Sequence, residues 1–262
     1  MSLVTLPSGL SGEIRELTVV EENVLADRKL VRSGRNVQNI FKSCWLRTED
    51  QAIYAFKDGR LDPDQLLQGD SLALLVYLRM ETQTDPETGE PIPYDFDVNC
   101  PRCGTRLPWT IEFEDFLDTN AKQLPDESRR VILEEGGVFE SIFPKCGRAY
   151  KFKLLRGIDE RRFPVIRRRD SDRLASKLIE LSLIEVVGIT NKKAFLGLEK
   201  YPKDAEEKPI LSSADANWFR RHSDEVNCGL ETTFDIECVD CGEVPVELPF
   251  LESFLLPEIA KR

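Results

Sequence analysis

The apolar positions of this chain follow two periods, helical in its first third and strand-like in two later stretches, with a mixed region between the two. Residues 3–17 hold a Pro-Ser-Gly turn between short extended stretches, Leu3–Leu6 and Glu13–Leu17. Thr18-Val-Val-Glu21 has the form of a capping box, in which hydroxyl and carboxylate each satisfy a free helix-terminal N–H. It predicts a helix running to about Val31, before the break at Ser33-Gly34. A second helix, Asn36 to about Arg47, aligns Val37, Ile40, Phe41, Cys44 and Trp45 on one face. Cys44 is thereby expected in the core, where a free thiol behaves as a small hydrophobe. Asp62-Pro63 reads as a helix start, and Asp70 as the cap of an apolar helix from Ser71 to about Glu81. Thr84–Pro93 is rich in turn formers and reads as a surface loop.

From Tyr94 the period becomes two. Tyr94, Phe96 and Val98 lead into Cys100-Pro-Arg-Cys103-Gly104, and Leu107, Trp109, Ile111 and Phe113 lead out, which predicts a strand, a knuckle and a strand. The acidic stretch from Asp118 to Glu140 is expected to be helical around Ser128–Glu135, and Tyr150–Leu155 to be a strand. Leu174, Leu178, Leu181 and Leu183 resume helical spacing, and Ser213 is expected to cap a helix to about Ser223 that turns Trp218 and Phe219 inward. The end of the chain then repeats the middle. Phe234-Asp-Ile-Glu-Cys238-Val-Asp-Cys241-Gly242 matches Phe96-Asp-Val-Asn-Cys100-Pro-Arg-Cys103-Gly104 position for position, and Phe250 follows much as Phe113 does. Together these elements predict an α+β fold. It has a helical N-terminal part (1–93), a first knuckle (94–117), a mixed α/β insertion (118–229), and a second knuckle with a tail (230–262).

Composition narrows the function classes. With 41% hydrophobic residues among 262 the chain can bury a core. A net charge of −11 argues against bulk nucleic-acid binding, which needs positive surface. No signal-peptide pattern opens the chain and no apolar run nears the roughly 18 residues of a membrane span, so a cytosolic protein with reduced thiols is expected.

Four of the seven cysteines form the two pairs. A Cys-x-x-Cys turn aims two thiolates at one point, and the glycine after it permits a positive φ under the metal. Two such turns complete a closed four-thiolate site, the usual structural zinc arrangement, with no position open for water. Cys100, Cys103, Cys238 and Cys241 are therefore the expected ligands of one structural Zn2+. Between Cys103 and Cys238 lie 134 residues. Closing that loop costs about 4 kcal/mol, against on the order of 10–16 kcal/mol from a structural zinc. Two separate redox or buried pairs are the other reading. A second site from Cys146 and Cys228 lacks near partners, and both read as core or surface thiols.

His222, the only histidine, sits in Arg220-Arg221-His222-Ser223 and reads as a solvated helix end rather than a catalytic base. No phosphate-binding loop or nucleophile elbow is present. Lys145–Lys177 carries 12 basic and 4 acidic residues. Within it Arg161, Arg162, Arg167, Arg168 and Arg169 read as a partner-facing basic face. Nucleic-acid contact is the weaker reading because aromatics are sparse there, and pairing with the chain's own acidic segments is a third.

In combination, several segments resemble a known family. They are Leu6-Pro-Ser-Gly9, Ile14-Arg-Glu-Leu-Thr18 with Glu21-Glu22-Asn-Val-Leu25, and Leu66-Leu67-x-Gly69-Asp70 with Leu74, Leu75 and Arg79. Further along come Cys100-Pro-x-Cys103-Gly104, Phe152-Lys-Leu-Leu155-Arg-Gly-Ile-Asp159-Glu160, Cys238-x-x-Cys241-Gly242 and Leu248-Pro-Phe250. Their order over nearly the whole chain resembles the base-plate proteins of contractile-tailed phages, a family named after a T-even phage hub assembly protein. Ile142-Phe-Pro-Lys-Cys146-Gly147 and the long acidic loop depart from its pattern. The resemblance implies a non-enzymatic assembly factor or component of a base-plate hub. Its partners would be hub and other tail proteins, and its place the cytoplasm of the bacterial host or the finished particle. The rival from another class is a zinc-ribbon nucleic-acid-binding protein, and an enzyme working in a cleft between the halves is the third reading.

Overall fold

A computed structural model describes residues 1–169, 171–203, 207–249 and 254–255, apart from the side chains of residues 114, 115, 118, 168, 169 and 171. Phe250, part of the knuckle repeat and of the resemblance, and the tail beyond residue 255 lie outside the described residues. The fold is α+β, with several small antiparallel sheets around one large core.

The N-terminal part opens on a sheet rather than on helices. Ser2–Thr5 (β1) and Ser11–Ile14 (β2) pair across the Pro-Ser-Gly turn, and Trp45–Asp50 (β3) joins β2. Thr18 and Glu21 form the expected capping box on Val19–Ala26 (α1). The single helix expected to Val31 is two. Asp27 adopts an extended conformation and caps Arg28–Ser33 (α2), its carboxylate accepting from the N–H groups of Lys29 and Leu30. Asn36–Cys44 (α3) stops short of Arg47 because Trp45 enters the sheet opposite Ile14, still buried. Cys44 is fully buried, as its place on the apolar face requires.

Asp62-Pro63 starts a turn instead of a helix, with the Asp62 carboxylate accepting from Asp64 N–H at 3.2 Å. The long helix is Gln68–Thr82 (α4). Asp70 lies inside its first turn and is fully buried, so it is not the cap. Its carboxylate accepts from Ser8 N–H at 2.9 Å and from the Tyr54 hydroxyl, and the Cys228 thiol lies 3.8 Å away. Burial raises its pKa above the usual carboxylate range against those hydrogen bonds. Next to it, Gly69 lets α4 touch the backbone near the chain's end. A Cβ there would stand 1.9 Å from the carbonyl oxygen of Cys228.

The middle of the chain supplies Tyr94–Asn99 (β4), Arg106–Ile111 (β5), Phe113–Asn120 (α5), Ala121–Lys122 (β6) and Asp126–Glu134 (α6). Phe113 thus begins a helix instead of ending a strand. Phe139–Ile142 (β7), Ala149–Phe152 (β8) and Leu183–Val186 (β9) form a second three-stranded sheet. Gly157–Glu160 (α7), Phe163–Arg169 (α8) and Leu174–Ser182 (α9) cross between its second and third strands. Leu183 leaves the helical pattern because it pairs with Phe152 in that sheet. Lys192–Phe195 (α10) and Ser213–Glu225 (α11) follow, the latter capped by Ser212 rather than Ser213. Phe219 is buried and Trp218 half-buried. Gly229–Leu230 (β10) pairs with β6, and Thr233–Cys238 (β11) with Gly242–Glu247 (β12). Among the described residues no helix is long and apolar enough to cross a membrane.

Candidate metal centre

Two hairpins build the site. In the first, β4 and β5 pair from Tyr94 opposite Ile111 to Asn99 opposite Arg106. The turn between them closes through Cys100 N–H donating to Thr105 O at 2.8 Å and Gly104 N–H to Cys100 O at 2.9 Å. Gly104 takes φ +79°, the left-handed region that favours glycine. In the second, β11 and β12 pair as far as Cys238 opposite Gly242, which takes φ +71°.

The thiol sulfurs of Cys100, Cys103, Cys238 and Cys241 all lie within 4.8 Å of one another. Cys103 and Cys238, one from each hairpin, are in contact at 3.6 Å. Cys100 and Cys238 are buried, Cys241 is half-buried and Cys103 is exposed. Two hydrogen bonds also join the turns. The Arg102 guanidinium donates to Cys241 O at 3.0 Å, and the Thr105 hydroxyl to the Asp240 carboxylate at 3.2 Å. All four sequence-expected ligands are therefore brought together, across 134 intervening residues.

The thiols push one another's ionisation apart. Hydrogen bonding with the Thr105 hydroxyl and backbone, then with Cys100, lowers Cys103 to about 6. Its proximity, followed by burial, raises Cys241 to about 12. Four such groups ionise together only if a cation is shared among them. The hairpin tips meet around a small apolar cluster of Cys100, Leu107, Ile236, Cys238, Val244 and Val246, separate from the main core. Such a cluster is little to hold two ribbons in register, and the four thiols at their tips could hold a metal ion.

A third hairpin carries the same turn, and sequence reasoning missed it. Between β7 and β8, Phe143-Pro-Lys-Cys146-Gly147 repeats Cys100-Pro-Arg-Cys103-Gly104 with phenylalanine in place of the first cysteine. Phe143 N–H donates to Arg148 O at 3.0 Å, Gly147 N–H to Phe143 O at 2.9 Å, and Gly147 has φ +66°. The strand register agrees as well, since Phe139 faces Phe152 as Phe96 faces Trp109. Phe143 is fully buried and stacks on Tyr150, with ring centroids 4.1 Å apart. Cys146 is exposed and alone. The shared Pro-basic-Cys-Gly run was the signal that could have found it.

The basic stretch is more internally paired than its composition suggests. Arg161 donates to Gln38 at 2.8 Å and pairs with Asp64, while Lys151 pairs with Glu140 and Lys153 with Asp159. Arg162 and Arg167 are exposed. Arg168 and Arg169 lie on α8, and their side chains are outside the described residues. His222 is half-buried rather than solvated, stacked on Trp218 and edge-on to Phe152. Cys228 is buried beside Asp70, which accounts for it as a core thiol. An apolar groove of about 520 Å³ runs between α9 and α11, floored by Leu174, Leu178 and Phe219 with Arg220 and Asp224 on its rim.

Searches against protein-family models, curated proteins and solved structures return no match for this chain.

Proposed function

We propose that the chain is a non-enzymatic docking protein stapled by one structural zinc, and that it serves in building or completing the base-plate hub of a contractile tail or related injection machine. The observation that carries the zinc half is the convergence of four thiols from two distant hairpins. A tetrathiolate zinc with Zn–S bonds of about 2.3 Å sets its sulfurs about 3.8 Å apart. The cross-hairpin contact of 3.6 Å and the 4.8 Å limit on the whole set fit that scale. All four coordination positions would be sulfur, which leaves a scaffold and no site for substrate. Cys100, Cys103, Cys238 and Cys241 would hold the ion, and Arg102 and Thr105 would keep the two turns aligned around it.

The base-plate half rests on the ordered resemblance of segments from Leu6 onward. A prebuilt rigid face lowers the ordering cost of docking, which suits a protein that holds hub subunits in register. The exposed Arg162 and Arg167 are its proposed contacts with acidic partner surfaces. Two measurements test the reading. Elemental analysis should return about one zinc per chain, and Cys103→Ser or Cys241→Ser should each abolish it. Deletion of the gene should leave tail proteins made and complete tails missing. Intact, contractile particles from the deletion strain would refute the hub assignment, and an apoprotein with ordered hairpins would refute the staple.

A further inference from the structure

We infer that the thiol cluster is also a site of oxidative modification, in which a hydroperoxide joins Cys103 to Cys238 across the two hairpins and expels the metal. This rests on the zinc reading above. Three features of the cluster point to it.

The first is access. Cys103 is exposed at the turn, whereas Cys100 and Cys238 are buried, so an oxidant in solvent meets Cys103 first. The second is reach. The sulfur of Cys238 is already in contact with that of Cys103, and a disulfide needs the pair to close to about 2.05 Å. The third is support. Arg102 to Cys241 O and Thr105 to Asp240 join the turns beside the ion, so the Cys103 and Cys238 sulfurs stand opposed when the oxidant arrives.

The chemistry balances with a hydroperoxide as the two-electron oxidant. The Cys103 thiolate attacks the distal peroxide oxygen, the O–O bond breaks, and the alcohol or water leaves after taking up a proton. Cys103 becomes a sulfenic acid. The Cys238 thiolate then attacks that sulfur, the S–O bond breaks, and hydroxide leaves to be protonated to water as the S–S bond forms. Two of the four sulfurs are thereby withdrawn from the ligand set. The new bond joins the same two hairpins that the metal joined, so the distant segments stay stapled in the oxidised chain. A bond within either Cys-x-x-Cys turn would release the hairpins from each other.

The test uses the full-length, zinc-loaded chain. Its metal content is measured first, and absence of zinc at that stage refutes the metal reading, and this inference with it. Hydrogen peroxide is then added, free zinc is followed with a chromogenic chelator, and cysteine links are mapped by mass spectrometry after alkylation. The expected result is release of about one equivalent of zinc in step with a Cys103–Cys238 link. Reduction with dithiothreitol should reverse both. Cys146→Ser, which removes the exposed thiol of the third hairpin, should change neither the release nor the link. Retention of zinc by the peroxide-treated protein overturns the inference while leaving the zinc reading intact. So do links confined to Cys100–Cys103 and Cys238–Cys241, or release that depends on Cys146.

Discussion

The hairpin at β7–β8 and the paired hairpins at β4–β5 and β11–β12 use one turn with two kinds of anchor. In each, a glycine at positive φ closes the turn. What differs is the environment beneath. At β7–β8 a third strand, β9, completes the sheet and the large core lies under the tip. A phenylalanine there finds Tyr150 and Phe195 to pack against. At the other two tips the buried cluster among the described residues is small, with Leu107, Ile236, Val244 and Val246 around Cys100 and Cys238. Where dispersion and apolar burial suffice, the turn takes an aromatic ring. Where they do not, it presents sulfur. The turn is thus encoded locally, and its anchor follows from what the rest of the chain can bring to it.

The largest break in this comparison should come from removing metal. Chelation, or Cys100→Ser, should cost more than about 5 kcal/mol, because a structural zinc is worth on the order of 10 kcal/mol. Hydrogen exchange should show residues 94–111 and 233–247 losing protection while 139–152 keep theirs. Uniform loss would mean that the hairpins are one cooperative unit. On the aromatic side, Phe143→Ala should cost about 3–5 kcal/mol by leaving a cavity under Tyr150, with zinc content unchanged. Phe143→Cys restores the full Cys-Pro-x-Cys-Gly run, yet it should bind no second zinc, since two thiols are half of a tetrahedral set.

The thiolate site and the helix that follows β8 should also answer pH in opposite senses. Glu160, on α7, is raised from 4.5 to about 7, chiefly by burial and then by the neighbouring Asp159. The folded state therefore holds its proton more tightly than the unfolded chain. Stability from this group is full below about pH 4.5, declines by roughly 3 kcal/mol as pH rises to about 7, and is flat above. Denaturation of the wild type against Glu160→Gln across that window reads it, because the variant should lack the decline. The thiolate site moves the other way, since protons compete with metal as pH falls. The smallest effect belongs to Cys146→Ser, expected within about 0.5 kcal/mol by thermal melting because the side chain is an exposed free thiol.

Sequence pattern carried the cysteine site well because its signal is written twice. Cys-x-x-Cys-Gly in matching alternating frames specifies the residues and the partner strands at once. The third hairpin escaped because its first cysteine is a phenylalanine, which looks like any core residue until its ring is seen over Tyr150. Strand β3 escaped for a different reason. Trp45 sits on the apolar face of the preceding helical pattern, and only pairing with β2 decides that it belongs to a sheet. Asp70 was misplaced because an acid before Ser-Leu-Ala-Leu-Leu has the form of a cap. Its burial comes from Ser8 and Tyr54, 62 and 16 positions away, which no local window contains.

The contact of Gly69 with the backbone of Cys228 and Gly229 sets a schedule for the growing polypeptide. A ribosome that has made α4 must add about 150 further residues before the surface that α4 packs against exists. At 5–20 residues per second that interval is roughly 10–30 seconds. For that time the first third of the chain has its helices but not its lid. Asp70, fully buried at the end, is then without the Cys228 thiol beside it. Closure waits on residues 228 and 229, and a chain truncated before residue 228 lacks the groups that complete the Asp70 cluster, however sound its N-terminal helices.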